Sequence, residues 1–195
     1  MKTTIVVLGM FLLGVFATQA NAEEVNVAPP GSKIPGAITN LDSLLTNPAD
    51  GMVVNFAPGV YDLQPVSYTE EDCGNCEAES TQVTATRGLK ITGRGIWLVG
   101  PEEGQAVIRT RAGYGILFED CRSCQINGLT ITGGVRDPDP NATDAAIVVK
   151  RSQVTISDCD IQDNIGDAAT VNRVVVGIMG IAGRERSNII VRDNR

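Results

Sequence analysis

From about residue 50 onward the chain repeats one motif: an apolar residue, any residue, a second apolar residue, then small or polar ones. Five segments align on it: VNFAPG from Val54, LKITGR from Leu89, CQINGL from Cys124, VTISDC from Val154 and IIVRDN from Ile189. Their second apolar positions are Phe56, Ile91, Ile126, Ile156 and Val191, at spacings of 35, 35, 30 and 35. Side chains alternate across a strand, so the two apolar residues of each segment share one face. A second short strand is predicted after three markers, at Ile96/Leu98, Leu129/Ile131 and Cys159/Ile161. A third precedes the later ones, at Ile116-Leu117-Phe118, Ile147-Val148-Val149 and Val174-Val175-Val176. Turn residues separate them, among them Gly93, Gly95, Gly128, Gly133-Gly134 and Asp163-Asn164.

One such unit cannot bury its own apolar side chains, whereas stacked units can. Helical spacing occurs once, where Ile38, Leu41, Leu44 and Leu45 share a face before Asn47-Pro48 stops it. A β-sandwich would show hairpin signals between strands, and Asn127-Gly128 is such a dipeptide. It fits a sharp corner in a stacked unit equally well. The dense Leu pattern of a leucine-rich solenoid is absent.

The stretches VVNFAPGVYDL, GILFEDCRSCQINGLTITGG and AAIVVKRSQVTISDCDIQDN resemble the right-handed parallel β-helix, or pectin-lyase-like, superfamily. The resemblance covers roughly residues 34–195. It implies an all-β fold, a right-handed parallel β-helix solenoid whose N-terminal end is capped by the short helix. It carries fold better than function, because one fold hosts many activities.

Residues 1–22 read as a secretory signal: Lys2, an uncharged run from Ile5 to Ala17, and a small-x-small site at Ala20-Asn21-Ala22. The run is short of the roughly 20 residues a membrane span needs. The expected organisation is a signal at 1–22, cleaved after Ala22, a Pro/Gly-rich leader at 23–36, and a repeat domain at 37–195. The mature protein is expected in an oxidising compartment, secreted or periplasmic. The last unit stops four residues past Val191. Solenoids need covered ends, so the chain reads as incomplete at its C-terminal end, with further units or a partner covering it.

Composition narrows the chemistry. The 195 residues include no histidine, which removes Ser-His-Asp hydrolysis, Cys-His proteolysis and His-ligated zinc. A net charge of −7 argues against nucleic acid as a partner. Aromatics at 4% give little support to a stacked aromatic sugar platform. Cys73, Cys76, Cys121 and Cys124 form two C-x-x-C pairs, open to disulfide, buried-thiol or metal readings. Cys124 and Cys159 take inward slots, and the odd count leaves Cys159 as the expected free thiol.

Three acidic clusters carry the candidate chemistry. Asp137, Asp139 and Asp144 lie in one loop and could hold calcium, a hard ion that takes several oxygens. The resemblance implies an arginine base as in pectate lyases, for which Arg136 and Arg173 are the local candidates. The loop lacks the regular spacing of a dedicated calcium loop, which favours reading it as a solvated turn. DPDP also resembles the D-P-H-D signature of the alginate epimerase branch, but Asp139 replaces its histidine. Asp158 and Asp160 face outward and could act as acid and base in glycoside hydrolysis, or be a plain polar strand. None of the N-T-D, D-D, G-H-G or R-I-K motifs of polygalacturonases is present. Glu70, Glu71, Asp72, Glu77 and Glu79 form an acidic loop without a basic neighbour, read mainly as solubilising. Asn141-Ala142-Thr143 is a glycosylation sequon. The function expected is action on a polysaccharide as a lyase or hydrolase. The alternative is a non-catalytic solenoid that binds a ligand, surface or partner protein.

Overall fold

A computed structural model describes residues 22–73, 76, 78, 80–166 and 178–195. The expected signal, save Ala22, and the strand at Val174–Val176 lie outside these residues, as does Arg173. The fold is all-β, with fifteen strands in three sheets and one short helix among the described residues.

The first sheet, A, contains β1 (Glu24–Val27), β2 (Val53–Phe56), β6 (Trp97–Val99), β9 (Cys124–Asn127), β12 (Gln153–Ser157) and β15 (Asn188–Arg192). Sheet B contains β3 (Gly59–Asp62), β7 (Ala106–Arg109), β10 (Thr130–Thr132) and β13 (Asp160–Ile161). Sheet C contains β4 (Val66–Glu70), β5 (Val83–Arg94), β8 (Tyr114–Arg122), β11 (Ala145–Lys150) and β14 (Met179–Arg184). From β2 on, the chain visits A, B and C in turn, and each strand pairs in parallel with its counterpart one circuit away. The exception is β4, which pairs antiparallel with the first part of β5.

One register position of sheet A holds Val25, Val54, Leu98, Ile126, Ile156 and Val191, at intervals of 29, 44, 28, 30 and 35 residues. Four of the five aligned sequence segments therefore lie in sheet A. The fifth, around Leu89, does not: Leu89 pairs with Ile116 in sheet C, and Leu98 takes the sheet A slot. The even 35-residue spacing there was coincidental, because the second circuit is lengthened by β4 and its loop. The leader at 23–36 contributes β1, which pairs with β2.

The inward columns meet in one core. Leu98, Ile126 and Ile156 come from sheet A, Tyr61, Ile108 and Ile131 from B, and Leu89, Ile116 and Ile147 from C. Burying one such aliphatic side chain stabilises by about 1.5–3 kcal/mol. Helix α1 (Leu41–Thr46) packs on β5 through buried Leu41 and Leu45. Its Asn40 cap accepts the Ser43 N–H at 3.0 Å, and Ile38 stays outside the helix.

The corners share a device. A residue with left-handed backbone turns the chain: Ser123, Arg151 and Arg186 from C to A, Asp158 and Asp193 after A, Asp163 after B. Gly95, Gly128 and Gly133 hold the same places in other circuits. Asp tolerates this conformation better than most residues with a Cβ. The next residue often carries a short donor. Asn164 Nδ2 donates to the carbonyls of Gln162 and Ile131, each at 3.0 Å, while its Oδ1 accepts the Gly134 N–H at 2.9 Å. Asn194 repeats this with Arg192, Ile156 and Cys159. Ser152 does so with Lys150, Phe118 and Cys121. The Cys159 thiol, free and buried, donates to the Ser157 carbonyl at 3.2 Å. The other four cysteines form disulfides Cys73–Cys76 and Cys121–Cys124.

Candidate functional site

Polar chemistry gathers on the outer face of sheet C. Only the later part of β5 pairs with β8; its first part and β4 form a two-stranded arm. The arm crosses the sheet. Val83 and Ala85 of the arm, with Cys73 of its loop, pack on Leu117, Val148 and Ala182 from three successive strands. This second apolar cluster is separate from the core.

Beneath the arm lies an ionic cluster, buried around Glu70, Lys150 and Arg184 and exposed at Arg151 and Asp120. Glu70, fully buried at the end of β4, pairs with Lys150 on β11 and with Arg184 Nη1 on β14 at 2.9 Å. Lys150 also lies 3.4 Å from both Glu119 and Glu185. Arg151 reaches Glu119, Asp120 and Glu185 at 3.0, 2.8 and 2.6 Å, and Lys90 pairs with Glu119. Four cations thus meet four carboxylates. Burial alone would lower the Lys150 pKa, but Glu70, Glu185 and Glu119 outweigh it and raise it above its usual value. Burial alone would raise Glu119, but Lys90, Lys150 and Arg151 hold it below the usual carboxylate value. The Tyr68 hydroxyl is raised by burial, then by Glu70 and Glu119. Tyr114, also raised by burial, joins this cluster to the next: its hydroxyl accepts from Arg184 at 3.2 Å and from the Thr143 N–H at 3.1 Å.

The loop expected to hold calcium runs along the arm. Asp137 accepts the Thr86 N–H and hydroxyl, both at 2.7 Å, and Asp139 accepts the Thr84 N–H at 2.9 Å. Two carboxylates two residues apart thus meet two strand amides two residues apart, as a neighbouring strand would. Asp144 pairs with Arg136 and accepts the Asp137 N–H at 3.0 Å. Arg136 donates further to the carbonyls of Ala142 and Pro140. Gly113 lies against Asp137 and Asp144, where a Cβ would collide with both carboxylates. Asp144 Oδ1 and Arg136 Nε are buried without a hydrogen bond. Burial and the Asp137 charge raise the Asp144 carboxyl to about 6, against the Asp137 N–H and Arg136. Among the described residues no group of three or more Asp, Glu or Cys is arranged to hold a metal.

Asp158 and Asp160 lie elsewhere, at the corner between sheets A and B. Asp158 is a left-handed turn residue accepting from Asn127 Nδ2 at 2.8 Å, and Asp160 pairs with Arg195 at 3.0 Å. Among the described residues no hydrogen bond or ion pair joins either to Arg136. A cleft of about 420 Å3 between α1, β3 and β5 is lined by Asn40, Asp42, Leu63, Gln64 and Val66, and by none of the six expected site residues.

The acidic loop differs most from expectation. Glu70 is not solvated, because its partners come from strands 80 and 114 residues away. Lys150 carried a signal that sequence reasoning passed over: a lysine closing the run AAIVV, buried on every residue. No helix among the described residues is long and apolar enough to cross a membrane. Comparison with known proteins found no matching family model, no similar curated protein and no similar solved structure.

Proposed function

We propose that the protein is an exported right-handed parallel β-helix, pectin-lyase-like in architecture, that binds polysaccharide without cleaving it. The cyclic order of the three sheets and the single core between them support the solenoid. The helix α1 would cap its N-terminal end. Two disulfides fit an oxidising compartment.

One observation carries the non-catalytic reading. Arg136, Asp137, Asp139, Asp144, Asp158 and Asp160 all have partners within the chain, and most hold backbone groups or a turn. Calcium would have to displace the arm amides from Asp137 and Asp139, and Arg136 and the Asp137 N–H from Asp144. A panel of neutral and acidic polysaccharides tests this, with calcium or chelator present. Retention in affinity gels without new reducing ends or ultraviolet-absorbing unsaturated products is expected. Calcium-dependent turnover lost in Arg136→Ala would overturn it and restore a lyase.

A further inference from the structure

We infer that the outer face of sheet A is the binding surface and that its ligand is an uncharged polysaccharide chain, lying across the strands over Trp97. This rests on the binding function proposed above. Trp97 is the chain's one tryptophan, and it is 42% exposed although its neighbour Leu98 is fully buried. It stands in a row of outward residues in register, Glu24, Val53, Trp97, Gln125, Thr155 and Ile190. Successive members are about 4.8 Å apart, the strand spacing. Asn55 and Asn127 lie in the adjoining outward row.

Charge selects the ligand. Charged residues make up 20% of the chain, with a net charge of −7. Yet the four central strands of sheet A, β2, β6, β9 and β12, contain none, and its charges stand on the edge strands, Glu24 on β1 and Arg192 on β15. An ionic polymer finds no counter-charge on the central strands, and an electrostatically steered partner finds no field there. A neutral sugar chain matches what is present. Its C–H faces can lie on the indole and on Val53, and its hydroxyls both donate and accept, as do the Asn and Gln amides. The low aromatic content argued against a stacked platform; a single exposed indole among amides needs no more.

The lone tryptophan makes the test direct. Soluble β-glucan, galactomannan and dextran are titrated while Trp emission is followed, with polygalacturonate as the charged control. At least one neutral polymer should shift emission to the blue saturably, and polygalacturonate should not. Trp97→Ala should weaken retention in affinity gels by about tenfold, and Gln125→Ala by less, with unchanged far-ultraviolet circular dichroism and Tm. A wild type retained by neutral polymer with emission unmoved, or equal retention of Trp97→Ala, refutes this face while leaving the binding function standing. No retention on any polymer overturns both. An emission shift that follows protein concentration instead, with dimer in sedimentation, also overturns the inference and assigns the face to a second copy.

Discussion

Glu70 is the most demanding residue in the arm, and removing it should cost more than any surface change. It is fully buried and faces two cations whose side chains are 5% and 7% exposed, Lys150 and Arg184. Breaking a buried pair from one side leaves an uncompensated charge, at about 3–5 kcal/mol. Two features place Glu70→Ala at the lower end. Lys150 keeps Glu119 and Glu185 at 3.4 Å, and Arg184 keeps the Asp72 carbonyl at 2.8 Å and the Tyr114 hydroxyl at 3.2 Å. We expect about 3 kcal/mol. With a urea m-value of about 2 kcal/mol per molar, the midpoint falls by about 1.5 M. Limited proteolysis should show the loop after β4 cut faster than in the wild type. Replacing all three members by apolar residues, Glu70→Leu with Lys150→Met and Arg184→Met, should recover most of the loss. A Glu70→Ala midpoint within about 0.2 M of wild type would refute this, since a charge that costs so little cannot be buried and paired.

Asp137 separates a clamp from a metal ligand. Asp137→Ala strands the Thr86 amide and should cost about 2–4 kcal/mol in urea unfolding, whereas Asp137→Asn, which keeps an acceptor, should cost under about 1 kcal/mol. Calcium should not raise the wild-type Tm; a rise lost in Asp137→Asn would favour the metal. Asp144 gives a pH signature in the urea midpoint. Its folded pKa of about 6 stands above the ordinary aspartate value of 3.8, so the folded state binds more protons between them and stability rises as pH falls from 7 towards 5. Asp144→Asn should remove that rise. Glu119 has the opposite sign, since its folded pKa is depressed: its contribution is present above 4.5 and is lost as pH falls through the lower folded value, a loss Glu119→Gln should reduce. Ser152→Ala leaves the buried Cys121 N–H without its acceptor and should lower stability by about 1–3 kcal/mol in the same assay.

Period-2 alternation and repeat spacing are local properties, so the strands at Val54, Cys124, Val154 and Ile189, the inward Cys159 and the corner glycines could be read from the sequence. The assignment of LKITGR to sheet A failed because its apolar alternation is the same in any sheet, and only the arm's extra length moves it to sheet C. The site was less legible. Asp137, Asp139 and Asp144 look like cation ligands when only near neighbours are considered. The partners of Asp139 and Asp137, Thr84 and Thr86, are more than 50 residues distant. Glu70 looked solvated for the same reason. The left-handed turn at Asp158 was not legible either, because a conformation that Asp tolerates leaves no mark in composition.

The corner ties have a direction. Ser152 serves the Cys121 amide, Ser187 the Ser152 amide, Asn164 the Gly134 amide and Asn194 the Cys159 amide; each time the later residue completes the earlier circuit. A circuit closed on its predecessor still has unmet amides until its successor arrives. Growth from the N-terminal side therefore always offers a template at its leading edge, whereas growth from the other side would lay down side chains before the amides they serve. A chain delivered N-terminus first, by a ribosome or through an export channel, meets this requirement in the order in which it emerges.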